Sequence, residues 1–230
     1  MNTSNTSNTT VSTKTLVHDQ ETIKEAFREL KRQSDGPQML ELLNVCFKTR
    51  PGEYFFKEPV QSYAQMEHEW YISESLNVHD MSEPPTIWKN ISDFYGFINS
   101  NYGYLAFSKE NGSQFQNVVH KLKKDKDSRQ GTLVYTRPSI HTDAVKDGMS
   151  DFICTTHQQL RIVNNKLELL SSMRSNDAIF GFSYDVQWAR YIQSRAYETL
   201  KETYPSLELG DVTWFASTLH IYERHYDLVK

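Results

Sequence analysis

A chain of 230 residues is long enough to bury a full hydrophobic core as one domain, and with 38% hydrophobic residues, 13% aromatics, 9 glycines and 7 prolines it is neither collagen-like nor disordered. A net charge of −4 and a pI near 6.1 give no global attraction for nucleic acid. Two cysteines cannot make a disulfide framework, and no apolar run approaches the ~18 residues of a membrane span, so a reducing cytoplasm is the expected setting.

In chain order, MNTSNTSNTTVSTKT lacks the basic and apolar regions of a signal peptide, so its three Asn-Xaa-Ser/Thr matches are not expected to meet a glycosylation enzyme. Residues 1–16 read as a disordered polar tail and 17–230 as one domain. From Asp19 to Gln33 the apolar set Ile23, Ala26, Phe27 and Leu30 recurs at helical spacing, and Asp35-Gly36-Pro37 stops the helix. MLELLNVCF reads as a strand, and Pro51-Gly52 opens a loop. Tyr63, Met66, Trp70 and Ser73 line one side of a second helix ending near Leu76, with Glu67 beside the stripe.

IWKNISDFYGFINSNYGYLAF carries Asn-Ser-Asn and Gly signals that predict turns around short extended pieces. Phe115, Val118, Val119 and Leu122 mark a further helix; its cationic run HKLKKDK, interrupted by Asp125, reads as a solvated helix end, and GTLVYT as a strand. DFICTTHQQLRIV and KLELLSSMRS read as two strands joined by Asn164-Asn165, a suitable two-residue hairpin turn. A long helix over Asp185 to Glu202 keeps Ala189, Ile192, Ala196 and Leu200 in line. Without regular βαβ alternation or a glycine-rich phosphate loop, the pattern predicts an α+β domain with one large sheet.

Several of these groups have both a bland and a chemical reading. Cys154 is an inert buried thiol, or, if the hairpin brings Arg174 back beside it, a nucleophile whose pKa the guanidinium lowers. Cys154 and His157 lack the second close pair that a zinc site needs, and positions three apart point to opposite faces of a strand, so no metal is expected. Arg174-Ser175 is a surface ion-pair partner, or a planar fork and hydroxyl suited to a phosphate. Asp185 is a first-turn acid or cap, or a carboxylate that reads a ligand; its local sequence leaves both open.

Taken together, Cys154, Arg174-Ser175 twenty residues on, Asp177 three beyond the arginine, Asp185 eleven beyond it, and LHIY with His220 and Tyr222 resemble the thymidylate synthase superfamily. EHEWYISESL, INSNYGY, DSRQGTLVYTRPS, KDGMSDFICT, MRSNDAIFGF and LHIYERHYDLV are similar to its deoxycytidylate (dCMP) hydroxymethylase branch from tailed phages, from about Leu40 to Val229. The resemblance implies one large mixed β-sheet flanked by helices, a homodimer formed through the sheet, and transfer of a one-carbon unit from 5,10-methylenetetrahydrofolate to C5 of a pyrimidine nucleotide.

Carried over by position, Cys154 is the nucleophile that adds to C6, Glu67 organises water and proton transfers, and Tyr102 helps remove the C5 proton. Arg174 and Ser175 hold the phosphate with Arg129 of the other subunit. The motif here is Ser128-Arg129-Gln130, so the second arginine of the family's pair is missing, which implies weaker phosphate binding or a substitute cation. His220 and Tyr222 hold the sugar 3′-hydroxyl, and Asp177 contacts the folate pterin. Asp185 stands where synthases have asparagine; a carboxylate accepts from the 4-amino group of cytosine and shares a proton with N3, which implies dCMP as substrate.

A synthase reduces the exocyclic methylene by hydride from the folate, whereas a hydroxymethylase adds water and returns tetrahydrofolate. Thr155, in place of the histidine that follows the nucleophile in synthases, agrees with the second outcome. Relatives continue past the position of Lys230 into a segment that helps close the site; if the natural protein ends here, closure by other means or weaker activity is expected. The implied product is 5-hydroxymethyl-dCMP for modified phage DNA, made in the cytoplasm of the infected host without membrane or direct nucleic-acid contact. A dUMP or ribonucleotide enzyme on the same scaffold, and a nucleotide binder without turnover, are the competing readings.

Overall fold

The computed structural model describes residues 17–33 and 39–230; the expected tail at 1–16 and the Asp35-Gly36-Pro37 helix stop lie outside the described residues. Helix α1 (Gln20–Gln33) starts where Asp19 Oδ1 accepts the Thr22 backbone N–H at 2.7 Å, and it buries Ile23 and Phe27. Strand β1 (Met39–Thr49) follows, then helices α2 (Gln61–Ile72), α3 (Thr86–Ile91), α4 (Tyr102–Phe107) and α5 (Gln114–Lys124). After β2 (Thr132–Val134) and α6 (Ile140–Asp143) come β3 (Thr155–Val163), β4 (Lys166–Met173), β5 (Asn176–Asp177), α7 (Gly181–Lys201) and β6 (Glu208–Tyr222).

The strands form one sheet in the order β1-β6-β4-β3-β2, with β5 on β6. β4 and β5 run parallel to β6 while the other pairs are antiparallel, so the sheet is mixed and the fold is α+β, as expected. The β3–β4 hairpin turns at Asn164 and Asn165 with φ of 50° and 62°, both in the left-handed region that a tight turn of matching twist requires.

Two expectations change. The stretch from Ile87 to Phe107 holds the expected turn, at residues 94–96, but its extended part is confined to the bridge of Phe97 to Asn77, and the rest carries the short helices α3 and α4. Asn101 is the reason for α4: its side chain accepts the Tyr104 N–H at 2.8 Å and donates to the carbonyls of Trp70 and Ser75, contacts that local sequence does not announce. The long helix begins at Gly181, so Asp185 lies one turn inside it and is no cap or first-turn acid.

One face of the sheet is the core. Val45, Phe47 and Thr49 of β1 lie level with Ala216, Trp214 and Val212 of β6 and with Met173, Ser171 and Leu169 of β4, all buried under α7. The polar members are paired: Trp188 Nε1 donates to Tyr135 OH (3.1 Å), which donates to Gln158 Oε1 (2.9 Å), tying helix to sheet. On the other face Leu43, Cys46, Leu170 and Phe215 stay accessible.

A fault crosses the sheet at one level. The buried phase of β1 switches at Asn44, which has φ 55°, and that of β6 switches between Ala216 and Leu219. At the same level Arg174 and Ser175 interrupt β4 and β5, and β3 bulges between Thr155 and His157. Bulges re-aim side chains, and Arg174 and Ser175, together with Cys154 just before β3, lie along this line.

Candidate active site

Cys154 ends the connection into β3, and the hairpin brings Arg174 opposite it, with Arg174 N donating to Cys154 O at 2.9 Å. Arg174 Nη2 approaches Cys154 Sγ at 3.5 Å, and the same guanidinium donates to the carbonyls of Phe152 (2.6 Å) and Ile153 (3.0 Å). The expected adjacency is present, but the net direction of the thiol shift is the reverse of the expectation. Burial pushes the Cys154 thiol up to about 11; Arg174 acts downward and is outweighed, with Asp185 and Asp151 acting upward. The free protein therefore holds a neutral thiol.

Tyr102 stands at the first turn of α4, buried and stacked on Tyr71 of α2 at 5.3 Å. The stack exists because Gly103 lets the helices touch: a Cβ there would fall 1.6 Å from Tyr71 O. Burial, then the charge of Asp185, keeps the Tyr102 phenol neutral far above its usual range, while Thr155 acts the other way. Tyr102 can relay a proton but does not sit as a phenolate.

Glu67 is buried in α2, with Oε1 accepting from Tyr63 OH at 2.6 Å and from Trp88 Nε1 at 3.2 Å. Burial raises its carboxyl to about 7 and those two donors oppose the rise, so at neutral pH it is poised to hold or release a proton. Tyr63→Phe removes a donor to the ionised form and so must raise the Glu67 pKa. The limb of the kcat/KM profile that belongs to Glu67 is expected to move upward by about one unit, since hydrogen bonds to charged groups are worth ~1.5–3 kcal/mol. A profile from about pH 5.5 to 9.5 checks this; a limb that stays put contradicts it.

Asp185 projects from α7 toward the same cluster. Its Oδ2 accepts from Asn176 Nδ2 at 2.9 Å, and enclosure by protein followed by the charge of Glu67 drives its carboxyl well above the usual range, against the Asn176 hydrogen bond. Electrostatic coupling links Asp185 to Glu67, Tyr71, Tyr102 and Cys154, so one turn each of α2, α4 and α7 and the start of β3 converge.

Asp177 and His220 are paired in the β5–β6 ladder. Asp177 Oδ1 accepts from Ile179 N at 2.9 Å. His220 is buried, its Nδ1 has no partner among the described residues, and its ring packs edge-on to Tyr222 at 4.9 Å. Burial lowers the His220 pKa, so at neutral pH it is an uncharged donor or acceptor for a hydroxyl, and the charge of Arg174 also reaches it. Ser175 sits in the fault between Arg174 and Asn176.

Arg129 is not part of this cluster. It is exposed at the entry to β2, where its carbonyl accepts from Gln159, well along β3 from Cys154. Beside it, Lys121 Nζ donates to Gln130 Oε1 at 2.8 Å, which brings a lysine next to the residue that replaces an arginine of the motif.

The sequence reading missed five residues. Tyr71 stacks on Tyr102; Asn176 holds Asp185; Trp88 and Tyr63 hold Glu67. Asp151, also missed, anchors the loop before Tyr102, accepting from Asn99 N (2.7 Å), Ser100 N (2.7 Å) and Ser100 Oγ (2.6 Å). The Asn-Ser-Asn run was a visible signal for that loop, whereas Tyr71 looked like ordinary core. A cavity of about 350 Å³ between α2 and α7, lined by Glu67, Tyr71, Tyr184 and Gln187, approaches the cluster from the helix side without including Cys154.

The thymidylate synthase family profile matches residues 56–230. The deoxycytidylate 5-hydroxymethyltransferases of Enterobacteria phages T6 and T4 are 38% and 37% identical over 197 residues, spanning 84% of this chain and 80% of each relative. A thymidylate synthase of Francisella tularensis is 22% identical over 172 residues, 70% of this chain and 61% of the relative. The solved thermostable thymidylate synthase A from Bacillus subtilis superimposes with a TM-score of 0.64 at 21% identity, covering 92% of this chain and 83% of that one, a likeness of fold.

Proposed function

The chain belongs to the thymidylate synthase family, and we propose that within it this protein is a dCMP 5-hydroxymethyltransferase: it takes a one-carbon unit from 5,10-methylenetetrahydrofolate to C5 of dCMP, adds water, and yields 5-hydroxymethyl-dCMP and tetrahydrofolate for modified phage DNA. The observation that carries the choice of base is a carboxyl at Asp185, anchored by Asn176 and coupled to the Cys154 thiol, where an amide would read uracil.

Arg174 and Ser175 receive the phosphate, and His220 Nδ1, buried and unpaired among the described residues, takes the sugar hydroxyl together with Tyr222. Cys154, its thiol proton released to bulk water, adds to C6 as Asp185 passes its own proton to N3, so negative charge does not accumulate on the ring. Asp177 suits a reduced pterin by its chemistry, an acceptor carboxylate held in place by Ile179 N. 5,10-Methylenetetrahydrofolate, when bound, supplies the one-carbon unit. Tyr102 relays the C5 proton, and Glu67, half protonated near neutrality, holds the water that adds to the exocyclic carbon and takes its proton. Two copies pair through the accessible sheet face, and Arg129, with Lys121 beside Gln130, supplies cationic charge to the partner's phosphate.

The test is tritium release from [5-³H]dCMP and [5-³H]dUMP in the presence of the folate, with the nucleotide product identified by mass and dihydrofolate followed by absorbance. Release from dCMP with a hydroxymethyl product and no dihydrofolate is expected. Release from dUMP with dihydrofolate would make the protein a synthase, and no release from either would leave a nucleotide binder.

A further inference from the structure

Asn176 lies between two residues of the site and is itself buried, 2% exposed, in β5. Its amide can face only one way. The indole of Trp214 is a donor without acceptor capacity, and Trp214 Nε1 lies 3.2 Å from Asn176 Oδ1. That fixes Oδ1 toward Trp214 and turns Nδ2 toward Asp185 Oδ2, 2.9 Å away. The backbone of Gly181 closes the side of this link, since a Cβ there would stand 3.2 Å from Asn176 Nδ2 and 3.6 Å from Asp185 Oδ2.

A fixed N–H donor treats the two forms of a carboxyl unequally. It stabilises the carboxylate and offers nothing to the hydroxyl of the acid, so it eases surrender of the proton. Everything else that faces Asp185 works the other way or is neutral: Glu67 and Tyr71 from α2, Tyr102 from α4, Cys154 ahead of β3, and Asp177 from β5.

We propose that Asn176 is a positioning residue for the reaction: oriented by Trp214, it anchors Oδ2 of Asp185 and supports the carboxylate that forms when Asp185 gives its proton to the base. The relay runs from the sheet core at Trp214 through Asn176 to the base-reading group, and it deepens the dCMP reading on which it rests.

The test compares kcat/KM–pH profiles on dCMP, from about pH 5 to 10, for the wild type, Asp185→Asn, Asn176→Leu and Trp214→Phe. The limb that Asp185→Asn abolishes belongs to Asp185. Asn176→Leu is expected to move that limb upward by about one unit and to lower kcat at least tenfold, with KM for dCMP changed by less than about threefold. Trp214→Phe keeps Asn176 but frees its amide to turn, so it shifts the limb in the same direction by less; it also decides the matter alone should Asn176→Leu not fold. A limb unmoved in the folded variants overturns the role of Asn176. If Asp185→Asn itself abolishes no limb, the base-reading role of Asp185 fails first, a distinct outcome that removes the inference with it.

Discussion

Replacing Cys154 by alanine is expected to lower turnover of dCMP by about 10⁴-fold or more while leaving nucleotide affinity within a few-fold of the wild type, measured by steady-state assay and by calorimetric titration. The separation follows from the geometry. In the proposed reading phosphate and sugar contacts fall to Arg174, Ser175, His220 and Tyr222, and Arg174 is held by the carbonyls of Phe152 and Ile153, independently of the sulfur. Loss of affinity in step with turnover, or turnover that survives, would contradict covalent catalysis at this residue.

The same thiol gives a pH signature. With its pKa near 11, about one molecule in ten thousand carries the thiolate at pH 7, so alkylation of the free protein by iodoacetamide should be slow and should climb about tenfold per pH unit up to that value. The neutral state also has a logic. While Asp185 keeps its proton it places no charge on Cys154, and burial is then opposed by Arg174 alone. A base that takes the Asp185 proton becomes electrophilic at C6 in the same event, so the nucleophile is called upon only when its target is ready.

How much of this was legible in the sequence depends on whether the signal was local. The β3–β4 hairpin was readable because Asn164 and Asn165 tolerate positive φ between two β-rich runs, and that hairpin alone predicts Arg174 beside Cys154. The thiol shift was misjudged because proximity to a cation is visible in spacing whereas the burial that outweighs it depends on α4 and α7 closing overhead. α4 was hidden for a similar reason. Its aromatic residues favour strand locally, and Asn101 caps it while donating to carbonyls 26 and 31 residues away. α7 starts before Asp185 because Phe182 and Val186 are fully buried in the core, although no capping residue marks Gly181. Asn176 looked like a spacer between Ser175 and Asp177; only Trp214, 38 residues on, gives it an orientation.

Asp185→Asn is expected to shift preference from dCMP toward dUMP, with the ratio of kcat/KM values changing by at least about 10³. In the proposed reading the carboxyl meets cytosine by accepting from the 4-amino group and sharing its proton with N3. An asparagine has no proton to share, and here its orientation is set in advance: Asn176 Nδ2 can only donate, so the new amide must turn its oxygen to Asn176 and its nitrogen to the free side. An acceptor and a donor then face the ring side by side, the complement of uracil N3–H and O4. Against cytosine the same pair leaves both N3 and the amino group facing like partners, and a site built on hydrogen bonds rejects such a mismatch by several orders of magnitude. Competition between the two nucleotides, with each product identified by mass, measures the ratio directly. An unchanged ratio would mean that the base is read by a group other than Asp185, and the identity of the substrate would then rest on the rest of the site.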